Sequence, residues 1–289
     1  MSTATPPDGF PQAPLRATIG YAAPTSSPAE KKIRYVAHTI DVHDARQIRS
    51  GLSLDGEGFV LAEHEIRSAH LEDPAELARV YAPEIAEVVR EATGASYVVP
   101  QTTWWSILPR TSEPLPTEVI AQLSRDGQTH YTVEGVTPRP AGNAHADYTP
   151  HTAEELLELV RSDPRVAVPP FRRFGIYQTW HVLNDPPHDN TLALADSRSV
   201  HDEDLVTYDN ILGIPDEPGN TVRSRAGKAS ERHRWYYFSH LRTNEIIVFV
   251  GYDPARPNNV LHTGFNIPDA GPAARPRLSL EARFFAFFE

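Results

Sequence analysis

The chain has 289 residues, 40% of them hydrophobic, enough apolar side chain for one large domain or two small ones. Its net charge is -11 and it carries no Lys/Arg-rich run, which argues against nucleic acid and anionic membrane as partners. Cysteine is absent, so disulfides and thiolate metal sites are excluded, and imidazole and carboxylate remain as metal ligands.

No stretch is long and apolar enough to span a membrane, and no basic-then-apolar leader is visible, so a cytoplasmic protein is expected. Residues 1–28, rich in Pro, Ser, Thr and Ala, are predicted to be a flexible N-terminal arm, either a mobile tail or one that hugs the surface, and 29–289 a single domain. Ile33–Val42 is the first predicted strand, and "GEGFVLAEHEI" the second. Asp73-Pro-Ala-Glu76 then has the pattern of a helix start: a capping Asp, Pro at the first position and Glu three residues on. Leu77, Val80, Tyr81, Ile85, Val88 and Val89 follow at helical spacing, Pro83 should kink or split the helix, and Gly94 stops it.

Beyond it, "YVVPQTTWWSIL", "GIYQTWHVL", "TLALAD", "HRWYYFSH", "NEIIVFVGYD" and "RLSLEARFFAFF" are β-branched or aromatic runs bounded by turn residues. Thr152-Ala-Glu-Glu155 opens a second helix that ends before Pro164. The polar stretch from 216–220 on to Ser230 is predicted to be a mobile loop. The chain therefore reads as mainly β with flanking helices, a jelly-roll-like antiparallel sandwich.

Four separated pieces fit one metal site: His145 and Asp147 in "NAHADYT", His262 in "LHTGF", and Arg277 with Ser279 in "RPRLSLEAR". In a strand, residues two apart share a face, so His145 and Asp147 project together and His262 must come from a neighbouring strand. Two imidazoles and one carboxylate are the ligand set of non-haem Fe(II) oxygenases, which leaves the remaining metal positions open. Arg277 and Ser279 also share a face, and a guanidinium with a hydroxyl can grip the far carboxylate of 2-oxoglutarate. The chain also contains His70-x-Glu72 and His201-x-Glu203. The first lies just before a helix, the second in an acidic loop, and neither has downstream partners in order.

Taken together, "TPRPAGNAHADYT", "LALAD", "HRWYYF", "EIIVFVGYD", "HTGF" and "PRLSLEAR" occur in the order typical of one family. Over roughly residues 50–289 the chain resembles the AsaB/CmcJ-like, or GA4 desaturase-like, hydroxylase/desaturases, a family of Fe(II)/2-oxoglutarate-dependent oxygenases. The resemblance implies a double-stranded β-helix (jelly-roll/cupin-like) core, with Fe(II), 2-oxoglutarate and O2 as cofactor and cosubstrates. It implies oxidation of a small molecule, such as an amino acid or secondary-metabolite intermediate, by hydroxylation, desaturation or ring closure. On matching positions it makes His145, Asp147 and His262 the iron ligands, with Arg277 as the 2-oxoglutarate anchor assisted by Ser279. The chain departs from the family at "IYQTWHVL", where Tyr177, Gln178 and His181 stand in place of an expected Asn, so the substrate is open.

Three residues are candidate substrate contacts. Arg234 is hard to bury without purpose and should meet a carboxylate of substrate or of a structural Asp or Glu. Tyr148 adjoins the Asp ligand and by alternation faces away from it, and Trp180 is core or pocket wall. Arg283, on the face of Arg277, should pair with Glu281 or another carboxylate. Trp104 and Trp105 alternate, so one of them faces outward or lines a cavity. Two other readings stay open: a non-redox enzyme using Zn or Mn on the same barrel, and a jelly-roll binding protein without chemistry. Neither reading of the sequence decides the oligomeric state.

Overall fold

The computed structural model describes residues 13–24, 33–68, 70–71, 73–103, 106–120, 137, 139–211, 221–257 and 259–289. Among them are fourteen strands. They are β1 (Leu15–Ala22), β2 (Tyr35–Asp44), β3 (Phe59–Glu63), β4 (Tyr97–Pro100), β5 (Ile107–Thr111), β6 (His145–Ala146) and β7 (Arg173–Val182). There follow β8 (Asn190–Ala195), β9 (Leu205–Ile211), β10 (Thr221–Gly227), β11 (Trp235–Tyr237), β12 (Glu245–Tyr252), β13 (His262–Asn266) and β14 (Leu278–Phe288).

Two sheets result. The larger runs β1-β2-β11-β8-β13-β6-β10-β9, and the smaller β3-β12-β7-β14-β4, with β5 also on β14. Every pairing is antiparallel except β11 with β2. This is the mainly β, jelly-roll-like core with flanking helices that the strand pattern predicts.

The first helix starts as expected. The Asp73 carboxylate accepts from the Ala75 N–H at 2.9 Å, and Pro74 takes the first position. Pro83 has no N–H to donate, and the turn before it, Leu77–Tyr81, widens so that the Ala82 N–H bonds the Leu77 carbonyl. The regular helix Ala82–Thr93 then ends on Gly94, whose φ of 72° closes the last turn without a Cβ clash. Its buried face, Ile85, Val88 and Val89, shares a hydrophobic cluster with Leu280, Ala282, Phe284 and Ala286 of β14. Each large side chain buried there contributes roughly 1.5–3 kcal/mol, which holds one face of β14 outward. The alternate residues Ser279, Glu281 and Arg283 are thereby turned toward the facing sheet.

The second helix, Pro150–Ser162, starts earlier than predicted. Thr149 caps it by accepting from the Thr152 N–H at 3.2 Å, with Pro150 at the first position. Leu156, Leu157 and Val160 pack on Phe174, Phe285 and Phe287.

Two expectations need correction. Within the predicted flexible arm, Leu15–Ala22 is a full strand whose Ala17, Ile19 and Tyr21 are buried. Its alternation is short and framed by polar, proline-rich sequence, which hides it. Of the predicted mobile loop, 216–220 lies outside the described residues, whereas Thr221–Gly227 forms β10 between β9 and β6. Its inward residues Val222, Ser224 and Ala226 are small, so their burial leaves little hydrophobic signal. Trp104 and Trp105 also lie outside the described residues.

Candidate metal centre

His145 and His262 are directly opposed on the paired strands β6 and β13, with ring centroids 4.3 Å apart. Each imidazole is oriented by a backbone carbonyl two residues upstream. His145 Nδ1 lies 2.7 Å from the Asn143 oxygen, and His262 Nδ1 lies 3.3 Å from that of Val260. A carbonyl only accepts, so in both rings Nδ1 carries the proton and Nε2 keeps its lone pair for a metal. The Phe249 ring stands 4.9 Å from that of His262 and forms an apolar wall.

Asp147 follows β6 directly. Its backbone carbonyl accepts from Ser224 Oγ at 3.1 Å, its Oδ1 lies 3.5 Å from His145 Nε2, and its Oδ2 accepts from Arg283 Nη2 at 3.1 Å. The three candidate ligand atoms all lie within 4.8 Å of one another. Burial alone would raise the Asp147 carboxyl, but the Arg283 guanidinium and the two imidazoles outweigh it and hold the group far below the usual carboxylate range. His262 is pushed down to about 4, first by burial and then by His145. An ionised carboxylate and a neutral imidazole are the forms that bind a cation. A nitrogen, nitrogen, oxygen donor set with both tautomers fixed fits one divalent ion of the Fe(II) kind.

Arg277 and Ser279 reach the same interior from the facing sheet. Arg277 is 1% exposed, donates through Nη1 to Ser279 Oγ and lies with Cζ 5.0 Å from the Trp180 ring centroid. Among the described residues it forms no ion pair, and its Nε has no hydrogen-bond partner. Burial pulls its guanidinium down to about 10. Glu281 and Asp189 attract it only from beyond ion-pair distance, a buried cation so placed is costly, and a small dicarboxylate such as 2-oxoglutarate matches it in charge and shape.

Sequence reasoning missed what holds Arg277 in place. Its backbone N–H donates to Ser112 Oγ at 2.6 Å and Asp189 Oδ1 at 3.2 Å, and Ser112 Oγ donates to the same Asp189 oxygen at 2.5 Å. Ser112 and Asp189 are 165 and 88 residues from Arg277 in the chain. No local pattern links them. Nor does any local pattern mark Arg110, whose Nη2 donates to Glu281 Oε2 at 3.2 Å inside the same space.

The three candidate substrate residues separate. Trp180 is buried beneath Arg277, opposite Glu281 in the β7–β14 register, and so lines the site. Tyr148 is fully buried in the cluster around the second helix, where its hydroxyl donates to Gln101 Oε1 at 3.2 Å and meets Arg283. It stands behind the ligand, as alternation predicts. Arg234 does not join this group. Its guanidinium bonds Asp196 Oδ2 at 2.7 and 3.2 Å, and it lines a surface cleft with His38, Asp41 and His43. The structural carboxylate, not a substrate, is its partner here. Of the residues that depart from the family pattern, Gln178 lies opposite Arg283 and faces the site. Tyr177 and His181 point to the other face of β7, toward Asp253 and Tyr81.

A model of the family described as an oxidoreductase/YMDC permease-like domain matches residues 4–287. No helix among the described residues is long and apolar enough to cross a membrane. The chain is 27% identical over 274 residues to the hydroxylase/desaturase efuI of Hormonema carpetanum, covering 89% of this chain and 86% of that protein. It is 26% identical over 272 residues to the Fe(II)/2-oxoglutarate-dependent dioxygenase nvfI of Aspergillus novofumigatus, covering 91% and 88%. A solved structure of the iron and alpha-ketoglutarate-dependent endoperoxidase NvfI shares the fold, with a TM-score of 0.73 and 23% identity over 96% of this chain and 99% of that one.

Proposed function

Because this chain belongs to the oxidoreductase/YMDC permease-like domain family and to the AsaB-like and GA4 desaturase-like Fe(II)/2-oxoglutarate-dependent oxygenases, we propose that its inter-sheet site oxidises a small organic molecule. In this reading His145, Asp147 and His262 hold Fe(II), and Arg277 with Ser279 holds the far carboxylate of 2-oxoglutarate. The substrate class is an amino acid or a secondary-metabolite intermediate. Hydroxylation consumes the substrate C–H, 2-oxoglutarate and O2 and yields the alcohol, succinate and CO2. Loss of a second hydrogen gives a desaturated or cyclised product and water instead.

The iron, when bound, supplies the redox chemistry that couples cosubstrate decarboxylation to C–H oxidation. The chain's own residues do the rest. The two backbone-anchored imidazoles present Nε2 without rotamer searching, and Arg283 keeps Asp147 ionised. Arg277, fixed at its backbone by Ser112 and Asp189 and stacked on Trp180, sets which end of the cosubstrate points inward. Phe249 and Trp180 limit water beside the reacting centre.

The observation that carries this reading is Arg277, a buried cation that forms no ion pair among the described residues, at the start of the strand that faces the triad. A hydrolytic zinc enzyme or a binding protein has no use for it. The test is an anaerobic titration of Fe(II)-loaded protein with 2-oxoglutarate, followed by the visible charge-transfer band of the chelate. The band is expected in the wild type, absent in Asp147→Ala, and shifted to higher 2-oxoglutarate concentrations in Arg277→Ala. Folded wild-type protein that takes up Fe(II) and gives no band overturns the assignment.

A further inference from the structure

The two oxygens of Asp147 face different partners. Oδ1 is the one near His145 Nε2, at 3.5 Å, whereas Oδ2 accepts from Arg283 Nη2 at 3.1 Å. Arg283 cannot easily move away. Its side chain is 7% exposed, Nη2 lies 3.6 Å from Glu281 Oε2, and the guanidinium also bonds the Tyr148 hydroxyl. Glu281 is in turn tied to Arg110, and Tyr148 to Gln101. The clamp is thus built from β5, β14 and the segment after β6, and all of its charged members are paired in the interior.

A carboxylate beside a divalent cation can bind through one oxygen or through both. Two imidazoles and a one-oxygen carboxylate leave three positions of an octahedron open, and a second oxygen would close one of them. We propose that Arg283 is a positioning residue that keeps Asp147 a one-oxygen metal ligand, by occupying Oδ2 while Oδ1 lies toward His145. The proposal rests on the reading of His145, Asp147 and His262 as a metal centre. It adds a division of labour, in which Arg277, just before β14, receives the cosubstrate and Arg283, six residues on within β14, preserves the metal positions that it needs.

The test counts exchangeable waters on the metal, independently of turnover. Mn(II)-loaded wild type, Arg283→Met, Arg283→Gln and Arg283→Lys are compared by water-proton relaxation, with Mn(II) affinity and thermal unfolding measured on the same samples. The wild type is expected to hold about three exchangeable waters and Arg283→Met about two. Mn(II) affinity in Arg283→Met should stay equal or become tighter, and 2-oxoglutarate affinity of the metal-loaded protein should fall by ~10-fold or more. Arg283→Lys keeps a cationic donor and should recover the third water. Arg283→Gln is too short to reach Oδ2 and carries the same expectation as Met, so it decides the matter if Met is not accommodated. Three waters in folded Arg283→Met or Arg283→Gln overturn the proposal. So does a folded variant that no longer binds Mn(II), because Arg283 would then hold Asp147 in place rather than restrict it. Failure of the wild type itself to bind Mn(II) would instead remove the metal-centre reading on which the proposal stands.

Discussion

His145 and His262, 117 residues apart in the chain, lie opposite one another in the β6–β13 ladder, each with its Nδ1 turned to a carbonyl on its own strand approach. Cross-strand opposition brings two side chains to one face without any loop having to close over them. The candidate metal centre is therefore as rigid as the larger sheet, and its weak point is whatever aligns β6.

β10 and β13 flank β6, and β1 braces the approach to it. Gly20 donates to the Gly142 oxygen and accepts from the Ala144 N–H, both at 2.8 Å, bracing the segment that leads into His145. A Cβ at Gly20 would stand 3.2 Å from the Gly142 oxygen. Gly20→Val is expected to destabilise the fold by about 1–3 kcal/mol and to weaken metal binding in the protein that remains folded. Co(II) titration beside thermal unfolding checks this. A stability loss with unchanged Co(II) affinity would show that β1 does not position His145.

Replacing the ligands should separate metal from cosubstrate. His262→Ala and Asp147→Asn are expected to lose more than ~100-fold in metal affinity, since the first removes a candidate ligand outright and the second replaces a charged one by a neutral one. Asp147→Ala carries an added stability penalty of roughly 3–5 kcal/mol, because it leaves Arg283 buried beside one fewer anion. Calorimetric metal titration and urea unfolding of the three variants would reveal whether either effect is missing.

Arg277 should behave in the opposite way. Arg277→Ala is expected to bind Fe(II) normally and to lose roughly 10- to 150-fold in 2-oxoglutarate affinity, as for loss of a charged hydrogen bond of 1.5–3 kcal/mol. Ser112→Ala removes one of the two acceptors of the Arg277 N–H and should give a smaller loss in the same direction. Equal 2-oxoglutarate affinity in wild type and Arg277→Ala would remove the anchor role.

His181 predicts an acid limit to stability that has nothing to do with catalysis. It is 1% exposed, its Nε2–H donates to the Thr243 carbonyl at 2.7 Å, and burial holds its imidazole below the ordinary value of 6.5. The unfolded chain thus takes up a proton that the folded chain refuses. Its contribution is complete above about pH 6.5 and is lost as pH falls below it, by at most ~1.4 kcal/mol per pH unit. Urea unfolding between pH 7.5 and 5.5 should show a shallower decline in His181→Gln than in wild type. Identical slopes would contradict the assignment.

Much of this protein is written locally. The capping Asp73 with Pro74, the disturbance at Pro83 and the Gly94 stop are short-range backbone chemistry, and the helix follows them closely. The grouping of His145, Asp147 and His262 was legible because strand periodicity puts i and i+2 on one face, and because their order resembles that of a known family. For Arg234 the local pattern left two partners open, a substrate carboxylate or a structural one, and only the fold supplied Asp196.

The sequence by itself limited the donor chemistry, since without cysteine imidazole and carboxylate remain, and it set His145 and Asp147 two residues apart. Only the tertiary structure decided the pairings: Arg283 with Asp147, 136 residues away, Ser112 with Arg277, and β1 with the approach to His145. The reason is physical. Helix caps and strand alternation depend on neighbours within a few residues, whereas these contacts depend on which strands become adjacent and which sheets face each other. A polar residue turned into a sandwich and one turned to solvent have the same periodicity, and only packing distinguishes them.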